Sequence, residues 1–131
     1  MKKISKNKNK GFTLVELIAV MAILAILAAV IAPKAFGYIE KAKKTKIVQQ
    51  CHTLVLAVDA YNADKADKDK TGTDKVSDAM SDLKADKLIE DKDVDKISGS
   101  KVSDCREVIN GAEFDLGDKD VLGTVTPLPV E

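Results

Sequence analysis

Tryptophan is absent from this chain of 131 residues, aromatic side chains make up only 4 % of it, and there is a single histidine, His52. So few rings exclude an aromatic-rich core and a base-stacking platform for nucleic acid. His52 has no Cys/His constellation around it that would hold a metal, and reads as a solvated helix residue. No Ser/His/Asp arrangement, no phosphate-cradling glycine loop and no CxxC pair occurs, which argues against an enzyme. Net charge is missing as well, since Lys+Arg and Asp+Glu are both 21. That disfavours a nucleic-acid binder working by bulk charge.

The zero balance averages two unlike parts. Residues 1–11 hold five lysines (Lys2, Lys3, Lys6, Lys8 and Lys10) and no acid, leaving 16 basic against 21 acidic side chains in residues 12–131. Residues 12–33, FTLVELIAVMAILAILAAVIAP, carry one charge, Glu16. As a helix this segment spans about 33 Å, enough to cross a bilayer core of roughly 30 Å. Residues 34–63 turn amphipathic. Ile47, Cys51, Leu54, Val55, Val58 and Tyr61 follow helical spacing, while Lys43, Lys46, Gln50, Thr53 and Asp59 fall largely elsewhere on the wheel. Neither Gly nor Pro occurs from Tyr38 to Lys70. The pattern predicts one continuous helix from about Phe12 to about Ala63, lipid-embedded in its first half and packed on something in its second.

Residues 64–131 read as a small, highly charged head. The Asp/Lys run of residues 64–75 predicts a solvated loop. Val76, Ala79, Met80 and Leu83, behind Thr73 or Asp74 as N-cap, predict a short amphipathic helix. Asn110-Gly111 is the type I′ dipeptide, and predicts a hairpin between a strand at about 102–109 and one in which Ala112, Phe114 and Leu116 alternate with Glu113 and Asp115. A further strand is expected over Val121–Val125, then an extended tail through Pro127 and Pro129. The fold class is α+β. A head this small is marginal alone, so it should lean on the amphipathic half of the long helix.

A lysine-rich end before an apolar run predicts a cytoplasmic N-terminus, with residues 34–131 outside. Three fates compete: a secretory signal cut near Ala29–Ala32, an uncleaved anchor, or a cut at the cytoplasmic edge. Glu16 selects the third. A carboxylate in an apolar helix costs a few kcal/mol, and neither of the other fates has a use for it. A cut between Gly11 and Phe12 would create an α-amino group one helical turn from Glu16. In an assembly, one subunit's Glu16 can meet a neighbour's amine, and a buried pair of this kind fixes register.

The string Lys10-Gly11-Phe12-Thr13-Leu14-Val15-Glu16-Leu17 resembles the class III signal of type IV pilins and of the type II secretion and competence pseudopilins. The likeness covers residues 2–63: basic leader, Gly before the cut, Phe first and Glu fifth after it, an apolar run, and Pro33 twenty-second. The resemblance implies a pilin fold divided into a cleaved leader (1–11), a long helix (12–63, with 12–33 in the membrane or filament core) and a head (64–131). It implies cleavage after Gly11 by a prepilin peptidase, N-methylation of Phe12, and a precursor held in the inner or cytoplasmic membrane. An assembly ATPase and a platform protein would then build a helical homopolymer in which Glu16 meets the neighbour's Phe12 amine. The mature form would be a structural subunit, a candidate major one, of an extracellular type IV pilus serving adhesion, twitching motility or aggregation. The alternative is a pseudopilin of a type II secretion or competence (DNA-uptake) system.

Pro33 lacks an N–H for the carbonyl of Ala29 and is expected to kink or open the helix. Ala25 stands where many type IVa pilins have Gly, which bears on how far that helix melts. Lys34, Lys41, Lys43, Lys44 and Lys46 suggest a basic stripe through which an assembled filament would meet DNA, against the head's net negative charge. Cys51 and Cys105 are the only cysteines. An oxidising compartment permits a disulfide between them, across a separation associated with about 4 kcal/mol. The other reading is a core thiol at Cys51 and an exposed Cys105. Asp67, Asp69, Thr71, Gly72, Thr73 and Asp78 fall in an EF-hand-like calcium register, with a second acidic group at Asp115, Asp118 and Asp120. Lys68, Lys70 and Lys75 interrupt the first, and the Asp-Pro-Trp-Gly stretch of calcium-binding pseudopilins is missing. The expectation is therefore no metal and no cofactor.

Overall fold

The computed structural model describes residues 11–129 apart from 64, 68, 69 and 73. In chain order the regular elements are α1 (Leu14–Asn62), α2 (Val76–Ala85), α3 (Val102–Ile109), β1 (Glu113–Leu116) and β2 (Leu122–Thr126), with 3-10 turns at Asp91–Asp93 and Asp118–Asp120. The expected long helix is present, as is the α+β head. The chain forms two units, one ending at Ile39 and one beginning at Glu40.

In the first unit α1 is bare. Leu14, Val15, Leu17, Ile18, Val20, Met21, Ile23, Leu24, Ile26, Leu27, Val30 and Ile31 all expose more than half their surface. Its most apolar stretch has a mean hydropathy of 3.0 and buries nothing within the chain. A helix apolar on every side cannot be satisfied by water, and its length suffices to cross a bilayer. Pro33 lies inside α1, where its ring leaves the Ala29 carbonyl without its usual N–H partner.

In the second unit the amphipathic reading of α1 holds. Ile47, Cys51, Leu54, Ala57 and Val58 are buried, with Val55 and Tyr61 half-buried. They join Val76, Ala79, Met80 and Leu83 of α2, Ile89, Val94 and Ile97 of the connection, and Val102, Cys105 and Val108 of α3 in one core, closed by Leu122. Gln50, expected on the outer face, is buried as well. Its amide satisfies three groups of the 92–96 segment: it donates to the Asp95 carboxylate and to the Lys92 carbonyl (3.4 Å), and accepts from the Lys96 N–H at 2.9 Å. Burying that amide is tolerable because these partners replace water.

Two local readings are corrected. Helix α2 starts one residue later than an Asp74 cap requires and two later than a Thr73 cap: its N-cap is Lys75, with no side-chain cap, and Thr73 lies outside the described residues. Backbone pairing sets this boundary. Lys75 bridges Lys101 antiparallel, with Val76 N–H on Ser100 O and Val102 N–H on Asp74 O, each at 3.0 Å. The starts of α2 and α3 are thus tied together. Residues 102–109, expected as a strand, form α3, because Val102, Cys105, Val108 and Ile109 recur at helical spacing and three of the four are buried. Asn110-Gly111 ends that helix rather than turning a hairpin. Gly111 has φ +98°, and the Gly111 and Ala112 N–H groups bond to Val108 O and Glu107 O at 3.1 and 3.0 Å, the Schellman pattern.

The strands at 113–116 and 122–126 do form, and pair antiparallel with Glu113 opposite Thr126, Phe114 opposite Val125 and Leu116 opposite Leu122, across one bulge. Of the described residues in the Asp/Lys run, Lys65, Ala66, Asp67, Lys70, Asp74 and Lys75 are exposed as expected, and Thr71 is buried. The end of the run is clamped by Asn62, whose amide donates to Thr71 O (2.8 Å) and accepts from Thr71 N–H (2.9 Å).

Candidate functional site

The start of α1 gathers the residues of the signal. Gly11 and Phe12 precede the helix without regular structure, and Phe12 is 94 % exposed. Thr13 is the residue just before the helix and Glu16 lies in its first turn. The Glu16 carboxylate accepts from the Thr13 N–H at 2.8 Å and from the Thr13 hydroxyl at 3.1 Å, and the Glu16 N–H donates to the Thr13 hydroxyl oxygen at 3.3 Å. This is a capping box: Ser/Thr at the N-cap and Glu three residues on satisfy each other's free backbone donors. The carboxylate also faces the positive end of the helix dipole. The only charge in an apolar segment is therefore held by two local donors and a dipole. Thr13 was not singled out from the sequence, although the Thr-x-x-Glu spacing before an apolar run is a readable signal for it.

The backbone at Gly11-Phe12 is exposed and lies outside the helix. An amine created at Phe12 would begin next to the capping box, within a turn of a carboxylate whose remaining lone pairs are free to accept from it.

The other residues singled out from the sequence are placed as follows. Cys51 on α1 and Cys105 on α3 are both buried, with sulfurs 2.8 Å apart. Cys105 is therefore not the exposed residue of the second reading. The hydrogen bond with Cys51, then burial, pushes the Cys105 thiol far above its ordinary range. His52 is exposed, as expected of a solvated helix residue. Of the calcium candidates, Asp67 pairs with Lys70 at 2.6 Å and Asp78 accepts from the Ser77 hydroxyl in the first turn of α2. Asp69 lies outside the described residues. Among the described residues no three His, Cys, Asp or Glu side chains form a metal-holding group. The basic stripe is largely neutralised: Lys43 pairs with Asp120 at 2.9 Å, Lys44 with Glu40 at 3.6 Å and Lys46 with Asp95 at 3.1 Å. Arg106 closes on Asp59 at 2.6 Å, joining α3 to α1.

No curated protein and no solved structure shows a significant match to this chain. Residues 6–32 match the family model of the prokaryotic N-terminal methylation motif. That segment spans the capping box and almost all of the bare apolar stretch. By this match the chain carries, over residues 6–32, the class III signal peptide that type IV pilins and pseudopilins share.

Proposed function

We propose that this chain is a prepilin whose mature form is a structural subunit, and a candidate major one, of an extracellular type IV pilus. Before assembly the precursor sits in the cytoplasmic membrane with its lysine-rich end inside and its head outside. A prepilin peptidase cuts between Gly11 and Phe12 and methylates the new amine. An assembly ATPase and a platform protein then lift the subunit into a helical homopolymer. The observation that carries this reading is the bare apolar helix opening on Glu16 inside the methylation motif. Only lipid or other copies of the same helix offer its side chains a solvent of their own kind. In the filament, Glu16 meets the Phe12 amine of a neighbour and sets the axial step, Pro33 is the point at which the helix gives under tension, and the charged head coats the outside. No catalytic step and no cofactor belong to this function.

Intact mass spectrometry of protein sheared from the surface of producing cells tests it. The expected species begins at a singly methylated Phe12. A chain beginning near Pro33 or at Met1 overturns the proposal. Recovery of the methylated species from membranes but never from sheared filaments favours the pseudopilin alternative. Glu16→Ala should leave cleavage largely intact and reduce filament yield at least about tenfold, since a charge pair buried without its partner costs roughly 3 kcal/mol or more. Normal yield removes Glu16 from the assembly role.

A further inference from the structure

The two cysteines take no part in the assembly reading, and their surroundings constrain when they can react. Both side chains have no exposed surface, and their sulfurs are 2.8 Å apart between α1 and α3. Ile47, Leu54, Val76 and Val102, all fully buried, belong to the same core. The attacking species in thiol–disulfide exchange is the thiolate, yet the mutual hydrogen bond and burial hold Cys105 in its protonated form. The closed head thus keeps the sulfurs adjacent and denies them both a base and an approach for any oxidant. Closing the bond in the folded head would require local opening of α3.

We infer that Cys51 and Cys105 are joined by a disulfide made outside the cytoplasm, by a dithiol–disulfide oxidase, before the head core closes around them. The location of this step rests on the proposed membrane orientation. In the open chain the thiolate of one cysteine attacks the oxidase disulfide, forming a mixed disulfide and releasing one oxidase sulfur. The thiolate of the other cysteine attacks the chain's own sulfur in that mixed bond and expels the second oxidase sulfur. One S–S bond forms in the chain and one breaks in the oxidase. Two electrons pass to the oxidase, and the two thiol protons end on its dithiol. Packing then seals the product. The bridge pins α3 to α1 around the whole intervening segment, beside the Arg106–Asp59 ion pair, and leaves it out of reach of reductants.

The test uses the full chain extracted from membranes of producing cells into guanidinium with a maleimide, followed by intact mass. The expected product is two hydrogens lighter than the dithiol and carries no adduct, and it gains two adducts only after reduction. In a second arm the native chain in detergent micelles is given dithiothreitol with and without guanidinium. Reduction should be at least roughly a hundredfold slower without denaturant, because it must wait for the core to open. Two adducts without reduction overturn the bridge. Equal reduction rates overturn the sealed core, and with it the order of events. The same spectra report the first residue. A methylated Phe12 start with free thiols sinks this inference and leaves the pilin reading standing, whereas a bridged chain starting at Met1 does the reverse.

Discussion

Glu16 has a partner at hand before any assembly begins. In a lipid-exposed helix a carboxylate costs a few kcal/mol, and two hydrogen bonds from Thr13, its N–H and its hydroxyl, offset part of that. The capping box therefore lets the precursor wait with its charge satisfied, and the proposed pairing with a neighbour's Phe12 amine has to improve on it. Thr13→Val keeps the shape and removes the hydroxyl. Loss of an N-cap side chain costs about 1 kcal/mol, so amide exchange at Glu16 in micelles should speed up about fivefold while exchange beyond the second turn is unchanged. An unchanged Glu16 rate would mean that the box does not hold the helix start.

At the scale of elements, both short helices of the head end in the same way with different residues. After α3 the left-handed position is Gly111, at φ +98°; after α2 it is Lys87, at φ +56°. There the Lys87 and Leu88 N–H groups bond to Lys84 O and Leu83 O at 3.0 and 2.9 Å. A side chain in this conformation costs roughly 1 kcal/mol. Lys87→Gly should therefore raise the stability of the head and Gly111→Ala should lower it, each by about that amount, read from urea midpoints of the detergent-solubilised chain. If the two variants shift the midpoint in the same direction, the caps are misassigned. The same pair shows what the sequence could and could not convey. The apolar run and the 47–51–54–58 stripe are periodic over many turns, and periodicity of that length is decisive. Residues 102–109 offered only two turns rich in Val and Ile, next to a dipeptide that serves both hairpins and helix ends. Local chemistry could not choose between the two, and docking against α1 did. The burial of Gln50 is not legible in the helix itself, because its partners come from residues 92–96. The Thr-x-x-Glu spacing at Thr13 and Glu16, by contrast, is legible in the sequence.

The whole head is held by one apolar core together with a few polar ties, and those ties make its stability depend on pH. Hydrogen bonds from Gln50 first, then Lys46, keep the Asp95 carboxyl below its ordinary range. Its ordinary value is about 4. A carboxylate depressed by folding contributes stability that is fully present above the unfolded value and is lost as pH falls through the folded one. The head should therefore unfold at lower urea as pH drops from about 5 toward about 3. Asp95→Asn removes the titrating group but keeps an acceptor for Gln50, so its midpoint should fall less over that interval. An equal fall in both proteins would place the acid sensitivity elsewhere. Because Asp95 answers to Gln50 and Lys46, both on α1, protonating it loosens the 92–96 segment from the helix that the filament is proposed to carry in its core. If the pilus proposal holds, acid should strip order from the head while the bare apolar helix, which has no titrating group beyond its first turn up to Pro33, keeps the polymer together. Filaments held at pH 3 should then keep their length in electron micrographs while their heads become sensitive to protease, and shortening that accompanies head cleavage would show that the head, and not the helix bundle, holds the subunits together.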